Sequence, residues 1–340
     1  MQHHGEYRNF VIKYLGSKRT LIPTILETIR PLPVRSVLDL FSGTSRVGYA
    51  LKKAGYDVTS NDYNRYAETI ARCYIEGDAD KHDIKDLISE LQQVEPVEHW
   101  FADLYSKESR FFQPENARKI AGIRERIETL NLDPVMKAIA LTSLLEAADR
   151  VDSTVGLQMA YLKSWAPRAF KPLELRVPDL LSGSGRVFRR DALELIRELP
   201  KVDLAYLDPP YNQHSYLGNY HVWETLVSWD RPAVYGKAMK RDECGERKSS
   251  FNSKRSFEAS FREMLSVKAS YVLLSFSDEG FLPIEKVLTL CREVGEVSAQ
   301  SQDFKRHVGA QIGIHGLDGS KIGSVSHLRN KEFLILIHKD

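Results

Sequence analysis

The chain has 340 residues, 42% of them hydrophobic and 28% charged, with a formal net charge of +2. That mix fits an ordinary soluble globular protein of one large or two smaller domains. It contains no apolar run of about 18 residues, which excludes a transmembrane helix, and the polar start Met1-Gln2-His3-His4-Gly5 lacks a signal-peptide stretch. Cys73, Cys244 and Cys291 stand alone. They offer neither metal-ligand spacing nor a disulfide framework, so three free thiols in a reducing cytoplasm and no metal site are expected.

In chain order, Val37 to Phe41 reads as a buried strand that enters the turn Ser42-Gly43-Thr44 at once. Helical spacing through Val47, Ala50 and Leu51 follows, and Asp57 to Ser60 reads as a second strand ending at Asn61-Asp62. This strand–helix–strand unit seeds a parallel sheet. From about Lys81 to Asp149 the apolar spacing is helical. From Asp152 to Gly185 prolines, glycines and scattered aromatics predict an irregular insertion. The α/β rhythm returns with a strand at Arg186 to Phe188, a helix from Ala192 to Leu199 and the strand Val202 to Leu207. A second irregular, basic segment spans about 212–255. Then come the strand Tyr271 to Phe276, a helix from Ile284 to Val294, the strand Glu296 to Phe304 and a last strand Phe333 to Ile337. The sum predicts a doubly wound, largely parallel sheet of about seven strands carrying two insertions.

Four places carry chemistry. The turn Asp39-Leu40-Phe41-Ser42-Gly43-Thr44 lies at the carboxyl end of a strand, where open sheets bind ligands. It lacks the three-glycine dinucleotide fingerprint, so a small nucleoside cofactor fits better than a pyrophosphate; taken alone it is equally a tight turn with no ligand. Asp62, about 20 residues beyond that turn, either accepts ribose hydroxyls or caps the helix starting near Arg65. The segment Lys13-Tyr14-Leu15-Gly16-Ser17-Lys18 precedes a helix and offers Lys18 for a carboxylate, but by spacing alone it reads as a surface turn. The most specific place is Asp208-Pro209-Pro210-Tyr211, directly after an apolar strand. Two prolines stiffen the chain, so the Asp208 carboxylate and the Pro209 carbonyl face one point and can accept both hydrogens of an –NH2 group. Tyr211 offers a flat face for stacking a base. Acceptors on both N–H groups favour a more tetrahedral amine nitrogen, with its lone pair free to attack a methyl sulfonium.

The order of these four motifs resembles the D12 class of adenine-N6 DNA methyltransferases. This is the alpha-ordered, Dam-like group, and the stretch Asp208 to Glu224 is nearest in motif to its restriction–modification branch. The resemblance covers nearly the whole chain. It implies a seven-stranded Rossmann-like methyltransferase sheet with a helical and irregular insertion for target recognition. It also implies S-adenosylmethionine as cofactor, duplex DNA as substrate and methylation of the adenine N6 amine by base flipping. Carried over residue by residue, Tyr14 and Lys18 would contact the cofactor, Asp39, Phe41 and Gly43 would form its pocket, and Asp62 would bind its ribose. Asp191 would sit near its adenine, and Asp208 would serve both the cofactor amino group and the target amine. Ser45 stands where the family often has a second glycine, and Tyr14 where some relatives have Trp. On this reading residues 1–80 form the cofactor half, 81–185 the helical and target-recognition insertion, and 186–340 the catalytic half with a basic insertion at about 212–262.

DNA contacts are expected in two places. Arg150, Lys163 and Arg168 lie with Trp165 in the first insertion, a basic and aromatic mix suited to DNA reading; a structural cover over the sheet is the competing account. The cations Lys237, Lys240, Arg241, Arg247, Lys248, Lys254, Arg255 and Arg262 crowd one stretch and suit phosphate neutralisation, with a solvated loop as the alternative. The branch leaves open a cognate restriction endonuclease as a partner and places the protein in a bacterial cytoplasm near the nucleoid. An RNA adenine or guanine methyltransferase and a catalytically silent DNA- or cofactor-binding module are the other functional classes. The acid at Asp208, where related RNA enzymes more often carry Asn, speaks against the first. Intact Asp208 and Tyr211 speak against the second.

Overall fold

The structure is a computed structural model, and it describes residues 12–305 and 329–339. The chain opens with α1 (Ile22–Ile29), β1 (Ser36–Asp39), α2 (Arg46–Lys53), β2 (Asp57–Asn61) and α3 (Arg65–Ala71). Four helices follow: α4 (Lys85–Gln93), α5 (Trp100–Ala102), α6 (Pro114–Thr129) and α7 (Pro134–Val151). After a long irregular stretch come β3 (Arg186–Phe188), α8 (Ala192–Glu198) and β4 (Val202–Leu207). Next are α9 (Tyr216–Asn219), α10 (His221–Ser228), the small hairpin β5 (Val234–Tyr235) and β6 (Lys240–Arg241), and α11 (Glu243–Glu246). The chain finishes with α12 (Lys254–Met264), β7 (Ala269–Ser277), α13 (Ile284–Arg292), β8 (Glu296–Lys305) and β9 (Arg329–His338). All seven strands expected from the sequence are present, and the fold is mixed α/β.

Two compact units divide the chain. The first contains residues up to Ala192 together with Ser215–Lys248. Its strands are parallel in the order β3-β2-β1, with Asp39 opposite Ser60 and Asn61 opposite Phe188. That register brings the chain leaving each strand to one edge, where a ligand site is expected in a parallel sheet. The second unit contains Leu193–His214 and Ser249–Asp340. Its order is β4-β7-β9-β8; β4 and β7 run parallel, while β9 is antiparallel to both neighbours. Strand β7 buries nearly every residue from Val272 to Ser277, as a strand covered on both faces must.

Domain boundaries differ from the expected ones at 80 and 185. Strand β3 lies in the first unit, where it pairs with β2. The segment 212–262, expected to be one irregular insertion of the catalytic half, is largely helical and is shared between the units. Its helix α10 inserts Trp223 and Leu226 into the first unit's core, among Tyr66, Phe101, Tyr105, Phe112, Leu144 and Leu145. Gln158, itself buried, fixes the start of α10: its Oε1 accepts from the amides of Val222 at 2.9 Å and Trp223 at 3.4 Å.

The helices between β2 and β3 have clear local causes. Asp133 accepts from the amides of Val135 and Met136 at 3.0 and 3.1 Å, so α7 starts on a side-chain cap followed by Pro134. The chain after α7 is irregular, as expected, and from Ala169 to Asp179 its polar groups turn inward. Asn116 Nδ2 donates to the carbonyls of Ala169 and Lys171, Gln92 holds Leu173 and Leu175, Ser143 holds Arg176, and the Tyr49 hydroxyl donates to Asp179. This part of the first insertion is a strap over α4, α6 and α7.

A buried ionic cluster ties the N-terminal segment to the end of α7. Lys13 Nζ donates to the Asp149 carbonyl at 2.7 Å and to Asp152 Oδ1 at 2.9 Å, and its amide donates to Asp149 Oδ2. Burial raises the Asp149 carboxyl to about 7; Lys13 works against the shift and Asp152 with it. A carboxyl raised in the folded state holds its proton there while the unfolded chain has lost it. Its stabilising contribution is complete below about pH 4 and is lost as pH rises to about 7, by at most about 1.4 kcal/mol per pH unit. In Asp149→Asn, stability measured by urea unfolding should therefore rise relative to the wild type from pH 4 to 7 and level off above; parallel profiles would show that the group does not titrate in this window.

Candidate active site

The turn after β1 is built by unusual backbone. Gly43 has φ +52° and Ser45 φ +58°, both left-handed. A side chain at Gly43 would place its Cβ 3.0 Å from the Tyr14 ring, so only glycine lets that ring close on the turn. Ser45, where the resemblance leads one to expect glycine, adopts the conformation glycine favours. The buried hydroxyls of Ser42 and Ser45 find no hydrogen-bond partner among the described residues. Asp39, buried at the end of β1, accepts from the Gly48 amide at 3.2 Å and so joins strand to helix α2.

Asp62 completes the turn. Its Oδ2 accepts from the Gly43 amide at 3.0 Å, while Oδ1 accepts from the Asn64 amide at 2.9 Å and from Asn64 Nδ2 at 3.1 Å. Burial raises its pKa, against the effect of these donors. Asp62 does not cap α3, whose N-cap is Asn64. Asn61 joins the ends of all three strands: Nδ2 donates to the carbonyls of Leu40 and Arg190, and Oδ1 accepts from the Arg190 amide at 3.1 Å. Sequence reasoning noted Asn61 only as the neighbour of Asp62, since nothing in spacing reveals a side chain that serves two distant carbonyls.

Tyr14 sits beside this turn in an aromatic stack. Its ring lies 5.3 Å from Tyr216 and 4.7 Å from Tyr220, nearly parallel to both, and its hydroxyl is 3.2 Å from that of Tyr66. Burial, with Tyr66 and Asp62 nearby, pushes the phenol well above its usual range. The Tyr220 hydroxyl accepts from the Leu15 amide at 2.6 Å. Tyr14, Gly43 and Asp62 thus meet in one place. Lys18 is buried in the short 3-10 turn Lys18–Thr20, Phe41 is half-buried in the β1 turn, and Asp191 is half-buried before α8.

The acid-aromatic corner belongs to the second unit. Asp208, Pro210 and Tyr211 are half-buried and Pro209 is buried, directly after β4. The Tyr211 carbonyl accepts from the Phe281 amide at 2.9 Å, and its ring rests at 5.6 Å from Phe276 of β7. Asn252 Nδ2 donates to the carbonyls of Asn212 and His214 at 2.9 and 3.1 Å. The corner is therefore held by backbone on both sides. Phe276, Phe281 and Asn252 were invisible as site supports because their partners are main-chain atoms or a ring distant in sequence.

The expected DNA-contacting cations divide. Lys163 is exposed and Lys240 half-buried. Arg150 donates to the Glu174 carbonyl, and Arg168 reaches Asp152 and the Thr154 carbonyl, so both hold the strap and its loop. Arg241 turns inward. It is 5% exposed, and its guanidinium bonds both Asp230 oxygens at 2.7 Å and Glu243 at 3.1 Å. Burial works against its charge, but Asp230 and Glu243 outweigh it and raise the pKa. Arg241 stands at the open end of the hairpin, opposite Val234, with its charge turned onto these acids.

The D12 class N6 adenine-specific DNA methyltransferase family profile matches residues 14–289. Modification methylase LlaI of Lactococcus lactis subsp. lactis is 30% identical over 92% of this chain and 54% of its own length. Type II methyltransferase M.NlaIII of Neisseria lactamica is 29% identical over 87% of this chain and 92% of its own. Type II methyltransferase M.FokI of Planomicrobium okeanokoites is 30% identical over 84% of this chain and 47% of its own. The chain thus spans about half the length of the LlaI and FokI methylases and nearly all of the NlaIII methylase.

Arg241→Ala should lower the stability of the first unit. The loss should fall below the about 3–5 kcal/mol of breaking a fully buried pair, because Asp230 and Glu243 stay partly hydrated. A melting temperature equal to the wild type would show that these ion pairs contribute nothing.

Proposed function

The chain belongs to the D12 class N6 adenine-specific DNA methyltransferases, and from that premise we propose that it transfers a methyl group from S-adenosylmethionine to the N6 amine of an adenine flipped out of duplex DNA. The observation that carries the reading is the Asp208–Tyr211 corner: an acid, two prolines and an aromatic ring at the end of a buried strand, pinned through the Tyr211 carbonyl.

The cofactor cradle has the features a nucleoside sulfonium needs. Gly43 lets the Tyr14 ring close on the turn, Ser42 and Ser45 carry buried hydroxyls with no hydrogen-bond partner among the described residues, and Asp62 is an acceptor held in place by two amides. In this reading Asp62 holds the ribose, Tyr14, Lys18, Asp39, Phe41 and Gly43 line the pocket, and Asp191 faces the adenine. The cofactor supplies a methyl group on a positively charged sulfur. This chain's task is to bind, orient and keep water out. Asp208 and the Pro209 carbonyl accept the two N6 hydrogens, which frees the nitrogen lone pair, and Asp208 takes the proton that N6 gives up as its N–C bond forms and the methyl group leaves sulfur. Tyr211 stacks on the flipped base. Sulfonium transfer to an amine needs no Lewis acid, so activity should persist in excess chelator.

By the same likeness we propose that the protein is the modification member of a pair with a site-specific endonuclease, working in a bacterial cytoplasm. No helix among the described residues is long and apolar enough to cross a membrane. Phosphate contacts are assigned to Lys163 and Lys240 and to the exposed Lys237 and Lys248.

Two tests follow. Transfer of tritiated methyl to duplex DNA, total RNA and protein, side by side, should label DNA alone. In single-turnover assays on duplex DNA, Asp208→Ala should abolish transfer, Tyr211→Phe should keep most of it, and Tyr211→Ala should lose about tenfold to a hundredfold with cofactor affinity little changed. Wild-type speed in Asp208→Ala would remove this corner from the reaction. Replacing Lys237 and Lys248 with Ala should weaken all duplexes alike and flatten the slope of log affinity against log salt by about one per residue; an unchanged slope returns them to solvent.

A further inference from the structure

Helix α3 begins three residues after Asp62, yet its N-cap Asn64 makes no side-chain hydrogen bond to it. The cap comes from far along the chain. Glu224, on α10 and 0% exposed, accepts from the Arg65 amide through Oε1 and from the Tyr66 amide through Oε2, each at 3.2 Å. A carboxylate on the first amides of a helix is favoured by the helix dipole, but a buried charge still needs a counter-ion. Arg247 provides it at 3.1 Å.

Arg247 also reaches further. The same Nη2 donates to Asn64 Oδ1 at 2.9 Å, Nη1 pairs with Glu243 at 2.7 Å, and the guanidinium lies 5.0 Å from the Tyr63 ring. Asn64 passes the constraint on, since its Nδ2 donates to Asp62 Oδ1 at 3.1 Å. A chain of hydrogen bonds therefore runs from Glu224 through Arg247 and Asn64 to Asp62, and from Asp62 to the Gly43 amide. Asn64 has no freedom to flip in this arrangement: its oxygen faces a donor that cannot accept, and its nitrogen faces an acid.

We infer that Glu224 and Arg247 are positioning residues for cofactor binding: they lock the 62–64 loop so that Asp62 is held ready for the ribose. The inference rests on the reading of Asp62 as ribose acceptor. Neither residue touches the cofactor. Glu224 lies on the helix that directly follows Tyr220, which stacks on Tyr14, so α10 braces the cradle from two sides.

The full-length chain tests this by calorimetric titration with S-adenosylhomocysteine, steady-state kinetics and duplex DNA binding. Glu224→Gln keeps the size of the side chain but removes the charge that holds Arg247. Its Kd for S-adenosylhomocysteine and its KM for S-adenosylmethionine should rise about tenfold. Its kcat at saturating cofactor should stay within about twofold and its DNA affinity should be unchanged, a split that general loosening of the fold would not give. Arg247→Ala should move Kd in the same direction, and Arg247→Lys should recover part of the loss. Unchanged Kd in both the Glu224 and Arg247 variants overturns the inference, as does a fall in kcat with KM unmoved. If Glu224→Gln does not fold, Arg247→Ala and Asn64→Ala decide on the same readouts. A wild-type chain that binds neither compound overturns the cofactor reading itself, and the positioning role with it.

Discussion

The hydrogen bond from the Gly43 amide to the Asp62 carboxylate is the joint on which the cofactor half depends. It forms only because Gly43 takes a left-handed turn, which in turn lets the Tyr14 ring close where a Cβ would stand. Asp62 can face that amide because Asn64 holds its other oxygen from two donors. Asn61, one residue earlier, binds the chain leaving β1 and β3. Remove the joint and the turn, the aromatic stack and the strand ends lose their common reference.

Much of this was legible beforehand because it is local. Seven of the nine strands among the described residues were located in the sequence, and the two-residue β5 and β6 were not; Val202 to Leu207 is the plainest case, an apolar run leading straight into Asp208-Pro209-Pro210-Tyr211. The α7 helix was legible from the spacing of Ile139, Leu141, Leu144 and Leu145, all buried. Ser45 is instructive, since its departure from the expected glycine changed the residue and left the left-handed backbone in place.

What stayed hidden acts over distance. Composition marked 212–262 as a basic loop, yet Trp223 and Leu226 fill a core built from residues 101 to 145. Arg241 looked like one more cation in a cluster, and only the fold reveals Asp230 and Glu243 closing on it. The same holds for Asn252 at the acid-aromatic corner and Gln158 at the start of α10, each bonding main-chain atoms far off in sequence. Charge and aromatic counts report what a segment can offer; the partners decide whether solvent or the protein receives it.

The split of the first unit into two stretches, up to Ala192 and Ser215–Lys248, carries a consequence for biosynthesis. A ribosome releasing the chain from its N-terminus presents β1, β2, β3 and the helices between them well before α10 emerges. Until then the cavity meant for Trp223 and Tyr220 is open, α3 lacks its acidic cap, and a greasy hollow lined by Phe101, Tyr105 and Phe112 faces water. The cofactor half therefore cannot mature as the nascent chain lengthens. It must wait until Ser215–Lys248 has been made, and a stalled or truncated product ending near residue 192 is a natural client for chaperones and proteases.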